Sequence, residues 1–185
     1  SKGAPVGIYL TGSDNVTFAN NIIKGTAFGA FPNGGASGTE IGGNTFTNQD
    51  AAILLLESSS ESIRNNTFEN NTRHLRDYDG EVDLQELVSN NTFDTVAYTE
   101  GGQQFLYSSI SDALNGDLLN DGGSSQGDTI LAGPGTYNES VNLGTPNVSI
   151  TGQGQEATII NGRIDIPVDG VAVRNLTVRN GAPSS

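Results

Sequence analysis

Short apolar runs alternate with polar residues along this chain, and the alternation restarts at a nearly constant spacing. Ile8 and Leu10, then Val16 and Phe18, are flanked by polar residues, a period of two that predicts short strands with one face turned inward. Gly12-Ser13-Asp14-Asn15 is the turn between them, and Asn20-Asn21 turns again before Ile22 and Ile23. Residues 5–28 therefore read as three strands of one coil. The coil recurs: Asn20-Asn21-Ile22-Ile23, Gly43-Asn44-Thr45-Phe46, Asn65-Asn66-Thr67-Phe68 and Asn90-Asn91-Thr92-Phe93 put the second asparagine at 21, 44, 66 and 91, in steps of 23, 22 and 25 residues. A period in the low twenties, with short strands and turns in each unit, is the signature of a solenoid. The pattern predicts an all-β chain, a parallel β-helix with a triangular coil. Equivalent residues of adjacent coils lie about 4.8 Å apart, so Phe46, Phe68 and Phe93 should stack. The asparagines should form a ladder of side-chain amides at corners whose left-handed backbone asparagine tolerates.

Residues 29–50 repeat the pattern loosely, with a long corner at 32–38, and residues 51–70 repeat it most clearly, through Ile53-Leu54-Leu55-Leu56, Ile63 and Phe68. After a polar linker, Phe105, Leu106, Ile110, Leu114 and Leu118 fall at helical spacing. They predict one amphipathic helix over 105–119, capped by Ser109 or by Ser111-Asp112. Apolar strands resume at Thr129-Ile130 and continue through Ile159-Ile160, Val171, Val173 and Val178.

Composition agrees with a narrow core and many corners: 34% hydrophobic residues and 25 glycines. Charge narrows the partners. With 21 Asp+Glu against 8 Lys+Arg, the net charge of −13 argues against nucleic acid. Dispersed acid with Lys2 and Lys24 as the only lysines resembles the surface of halophile proteins. The lack of cysteine excludes a disulfide framework and thiolate metal sites. No apolar run approaches 20 residues, which argues against membrane insertion. The lack of methionine reads as a soluble piece of a longer or processed chain.

Candidate chemistry gathers where the repeat breaks down. Residues 71–83 hold the only histidine, two arginines, a tyrosine and four carboxylates. If the chain is catalytic, His74 is the candidate base and Arg73 or Arg76 the clamp on a substrate carboxylate. Asp77, Asp79, Glu81 and Asp83 alternate as a calcium loop would, although the other positions of such a loop are missing. The competing reading is a solvated loop that requires no cofactor.

The second half carries a more specific likeness. A helix followed by Gly127-Asp128-Thr129-Ile130, Pro134-Gly135-Thr136-Tyr137 and a strand ending in Gly152-Gln153-Gly154 resembles the opening of right-handed parallel β-helix proteins of the pectin-lyase-like superfamily. The asparagine coils resemble the later coils of such proteins. The resemblance implies a single domain over 1–185, with Asn-repeat coils at 5–94, a linker, helix and loop at 95–127 and opening coils at 128–181. That order is inverted, as in a circular permutation. Members of the superfamily include lyases, hydrolases, esterases, epimerases and non-catalytic modules, so the likeness specifies a fold better than a function. Clustered Gly-His-Gly, Asp-Asp and Asp-Pro-His motifs of the catalytic members are missing. The reading favours a non-catalytic extracellular or cell-surface module of a halophile-like acidic protein, either a rigid spacer or a surface that binds polysaccharide or another glycan. Its alternative is a polysaccharide lyase, glycoside hydrolase or epimerase. Seven Asn-x-Ser/Thr triplets fit a surface glycoprotein, but asparagine turns beside threonine strands also create such triplets by chance. The uncovered coil edges near Ile8 and Val178 are expected to pair within one chain, which gives a monomer; pairing between chains would instead give head-to-tail self-association.

Overall fold

A computed structural model describes residues 4–58, 61–78, 80, 82–100, 104–116 and 123–179. The chain divides into two units, Ser1–Asp94 with Gln103–Leu106 and Thr95–Gly102 with Tyr107–Ser185.

Unit 1 is a parallel β-solenoid. Its first coil holds β1 (Val6–Thr11), β2 (Thr17–Ala19) and β3 (Ile22–Lys24). The second holds β4 (Phe28–Asn33), β5 (Glu40–Gly42) and β6 (Thr45–Thr47), and the third β7 (Ala51–Leu55), β8 (Ser62–Arg64) and β9 (Thr67–Glu69). The fourth starts with β10 (Arg73–Asp77), replaces the middle strand by α1 (Leu84–Asn90) and returns through β11 (Thr92–Phe93). Each strand pairs in parallel with its counterpart one coil away, so side chains line up in columns. Ile8, Ala30, Ile53 and Leu75 form one. Phe18, Ile41 and Ile63 form a second, and Ile23, Phe46, Phe68 and Phe93 a third. The predicted stack is present. Phe46 and Phe68 lie 5.3 Å apart, Phe68 and Phe93 4.9 Å, with interplanar angles of 10° and 7°.

The asparagine pairs divide their work between two adjacent positions. The first residue of the pair takes the left-handed corner, at Asn20, Gly43 and Asn65 with φ of 59°, 67° and 58°. The second forms the ladder. The backbone N–H and Nδ2 of Asn21 donate to Oδ1 of Asn44, those of Asn44 to Asn66, and those of Asn66 to Asn91, at 2.9–3.1 Å. Each Nδ2 of Asn44, Asn66 and Asn91 also donates to a carbonyl one coil back, on Phe18, Ile41 and Ile63. Buried amides are thereby saturated from two sides.

Two details depart from the sequence reading. The helix predicted over 105–119 is a strand, β13 (Gln104–Tyr107), followed by a short helix, α2 (Ile110–Asn115), with residues 117–119 outside the described residues. Phe105, Leu106 and Tyr107 are all buried, and tertiary packing of these strand-favouring residues overrides their helical spacing. Ser109, one of the two predicted caps, does start the helix by accepting from the Asp112 N–H at 3.0 Å. The other departure is α1 itself. Asp83 caps it by accepting from Gln85 and Glu86 N–H, and Leu87 is its buried anchor.

Unit 2 begins with β12 (Ala97–Thr99), which runs antiparallel to β14 (Thr129–Ala132). From there the coils are parallel again: β15 (Gly135–Tyr137), β16 (Val141–Asn142), β17 (Ser149–Gly152), β18 (Thr158–Asn161), β19 (Ile164–Asp165), β20 (Ala172–Arg174) and β21 (Thr177–Arg179). Ile130, Ile150 and Val173 form one column, and Tyr137, Ile160 and Val178 another. The Tyr137 hydroxyl donates to the Val96 carbonyl at 2.8 Å, and the Glu139 carboxylate accepts from the first two N–H groups of α2, those of Ile110 and Ser111. Among the described residues no helix is long and apolar enough to cross a membrane.

Candidate functional site

The fourth coil of unit 1 holds the candidate chemistry, and strand β10 within it is part of the solenoid wall. Strand β10 pairs with β7, so that Arg73 lies opposite Ala51, Arg76 opposite Leu54 and Asp77 opposite Leu55. His74 has no exposed surface. Its imidazole meets Phe68 and Phe93 edge-on, with centroids 5.6 and 5.0 Å away, and Nε2 lies 3.9 Å from Oδ1 of Asp94. Arg73 is half-buried and Arg76 buried, the guanidinium of Arg76 lying 5.4 Å from the ring centre of Tyr78. The three residues proposed for catalysis thus share one strand, yet His74 packs against the phenylalanine stack.

Two of the four carboxylates proposed for a cation, Asp77 and Asp83, accept from backbone N–H groups. Asp77 is buried and accepts from Gly80 N–H at 3.0 Å and Val82 N–H at 3.1 Å, closing the loop that follows β10. Asp83 is committed to the cap of α1. Asp79 and Glu81 lie outside the described residues. Among the described residues no three His, Cys, Asp or Glu side chains converge as a metal site requires.

Two surface features of unit 1 were not anticipated. Between α1 and β8 runs a groove of about 620 Å³, lined by Glu61, Arg64, Asn65, Asp83, Glu86 and Asn90 among others. Arg64 is held on its far side by Glu40, with Nη2 2.5 Å from Oε1. The second feature is an aromatic strip. Burial alternates along β1, which leaves Tyr9 54% exposed beside the half-buried Ile8 and Leu10. Tyr9 lies opposite Phe31 in register, their rings edge-on at 5.2 Å, and its hydroxyl accepts from Asn33 Nδ2 at 3.2 Å. Leu54 and Arg76 continue across the same sheet, because Leu54 follows Ile53 as Phe31 follows Ala30. At the fourth coil Tyr78 is 44% exposed and is held between Arg76 and the edge-on ring of Phe105, 5.5 Å away. The signal for Tyr9 was in the sequence, since in Gly7-Ile8-Tyr9-Leu10 the period of two sends Tyr9 to the face opposite Ile8 and Leu10.

Comparison with known proteins gives one result: the family model described as "right handed beta helix region" matches residues 1–121. No curated protein and no solved structure gives a significant match.

Proposed function

Since the chain belongs to the right-handed β-helix family, we propose that it is a non-catalytic, carbohydrate-binding module of an extracellular or cell-surface protein. The observation that carries this reading is the braced, exposed ring of Tyr9 on the sheet of unit 1, with Tyr78 three coils further on. Three coil spacings are about 14 Å, so the two rings flank a stretch long enough for several sugar residues. An aromatic face stacks on the C–H face of a pyranose at little entropic cost when its own rotamer is already fixed. Asn33 adds an amide at the edge of the Tyr9 ring, the pairing of apolar platform and sparse polar group that carbohydrate sites use. The net charge of −13 repels polyanions, which favours neutral glycans over uronate polymers.

The enzymatic alternative needs a base that reaches the substrate proton. His74 supports the non-catalytic reading, because its imidazole is enclosed by Phe68 and Phe93.

Native gel electrophoresis through embedded polysaccharides tests the proposal. A neutral glucan, mannan or xylan should retard the protein, and pectate should not. Tyr9→Ala and Tyr78→Ala should each weaken retardation by about tenfold, the loss of roughly one stacked ring at 1–1.5 kcal/mol. Retardation indifferent to both changes, or new reducing ends that vanish in His74→Ala, would overturn the reading.

A further inference from the structure

We infer that the glycan held by unit 1 is an extended ribbon of β-1,4-linked pyranoses with equatorial linkages, laid along the solenoid axis at one sugar per coil. The inference rests on the glycan-binding reading above and names the ligand of that same site.

Where side chains stand on the outer face of the sheet sets the direction of the ligand. Side chains alternate between faces along a strand, so the outward neighbours of Tyr9 on β1 are Gly7 and Thr11. Neither offers a second broad apolar surface, and a glycan lying along the strand would meet one ring only. Across the coils the surface continues. Two outward columns run side by side, Tyr9, Phe31, Leu54 and Arg76 in one, Thr11, Asn33 and Leu56 in the other. Tyr78 extends the second column: its N–H donates to the Leu55 carbonyl one coil back, as the Leu56 N–H donates to that of Pro32.

The exposed row crosses from the first column to the second. Leu54 and Arg76 are buried, so the Tyr9 column sinks below the surface beyond the half-buried Phe31. Leu56 and Tyr78 stand out instead, 37% and 44% exposed. Tyr9 itself bridges the crossing, because its hydroxyl reaches Asn33 Nδ2 at 3.2 Å. Each successive coil thereby offers one contact: the Tyr9 ring, the Asn33 amide, the Leu56 side chain and the Tyr78 ring. Asn33 gives Nδ2 to Tyr9, while its Oδ1 makes no hydrogen bond among the described residues and can accept from a sugar hydroxyl.

The coil step of about 4.8 Å selects the linkage. In a chain joined 1→4 through equatorial bonds, the sugars follow one another almost in line and advance by nearly that distance. In glucose and xylose of this kind both ring faces carry axial C–H bonds, so the half-turn between neighbours still presents an apolar face to an aromatic ring or a leucine. Axial linkages coil the chain and carry it off the row. An extended chain reaches Tyr9 and Tyr78 together, and joining two contacts in one ligand raises affinity without a new contact.

Isothermal titration calorimetry of the full chain with cello-oligosaccharides of two to six sugars tests this. Cellotetraose should bind about tenfold more tightly than cellobiose, the gain from engaging a second ring, and cellohexaose within about twofold of cellotetraose. Maltotetraose, the α-1,4-linked isomer, should bind at least about tenfold more weakly than cellotetraose. In Tyr9→Ala and in Tyr78→Ala, with the fold of each confirmed by circular dichroism, the gain from two sugars to four should vanish. The length series and the isomer comparison need no variant. Equal affinity for the two tetrasaccharides, or a plateau at two sugars, overturns the inference and leaves glycan binding standing. So does retardation by some other neutral polysaccharide when no cello-oligosaccharide binds. Retardation by none fails the glycan-binding reading itself, and the inference with it.

Discussion

In unit 1 a series of four asparagine amides ties coil to coil, whereas among the described residues of unit 2 the side-chain amides meet once between coils, at Asn161 and Asn138. Asn21, Asn44, Asn66 and Asn91 run as one hydrogen-bonded series beside a phenylalanine stack. Unit 2 packs Ile130, Ile150 and Val173 in a column that carries no polar direction, and it brings backbone close at glycine. At Gly162 a methyl group would lie 1.9 Å from the Glu139 carbonyl oxygen. Aliphatic columns oppose a one-residue slip, which would turn them to solvent, but they make no directional bond. An amide ladder fixes register, because a shift by one residue leaves buried donors and acceptors unmade. The contrast therefore predicts that unit 1 is sensitive to the chemistry of its rungs, and unit 2 to the volume at its closest approaches.

The strongest way to break the contrast is Phe68→Ala. Phe68 lies between Phe46 and Phe93, is 1% exposed and also supports His74, so its loss should cost about 3–5 kcal/mol. Urea denaturation followed by far-ultraviolet circular dichroism measures it; a loss below about 1 kcal/mol would mean the stack is not the core of unit 1. Next in size is Asn66→Leu, which keeps the branch at Cγ but strips the Ile41 carbonyl and the Asn44 N–H of their partner. About 2–3 kcal/mol should be lost, one to two unmade buried hydrogen bonds. Amide exchange at Asn44 should accelerate with it, and unchanged protection there would show that the ladder follows the fold without fixing it. The smallest effect separates corner from rung. Asn65→Ala places a methyl group at φ of 58° and should cost about 1–2 kcal/mol, while Asn65→Gly stays within a few tenths. Paired thermal melts decide this one, since equal losses in both variants would assign Asn65 a side-chain role instead of a backbone one.

The periodic parts of this architecture were legible because the coil spacing repeats the same chemistry at the same phase. Phe46, Phe68 and Phe93, or Asn44, Asn66 and Asn91, need no tertiary knowledge to be aligned. What broke the period was less legible. Residues 73–77 carry four ionisable side chains among five and read as a solvated loop, yet β10 is almost wholly buried. Long cationic side chains hide their stems and reach partners with their heads, so polarity alone does not mark the surface. Helix α1 has only Leu84, Leu87 and Val88 as apolar residues in seven, too few for a periodic signal, although Asp83 was a readable cap. At 105–107 the apolar residues fell in phase with the helix that follows, and their burial as a strand overrode that spacing.

The ladder also sets how this molecule comes together in time. Its contacts join residues 22 to 28 apart, and the rung-to-rung bonds repeat at 22, 23 and 25. The entropic cost of closing a loop depends only on the logarithm of its length, so every coil of unit 1 pays nearly the same toll to dock on the one before it. Once two coils are joined, assembly advances as a front, each new turn meeting a finished template and never a distant segment. Duplicating a coil would therefore lengthen unit 1 without making it slower, turn by turn, to build.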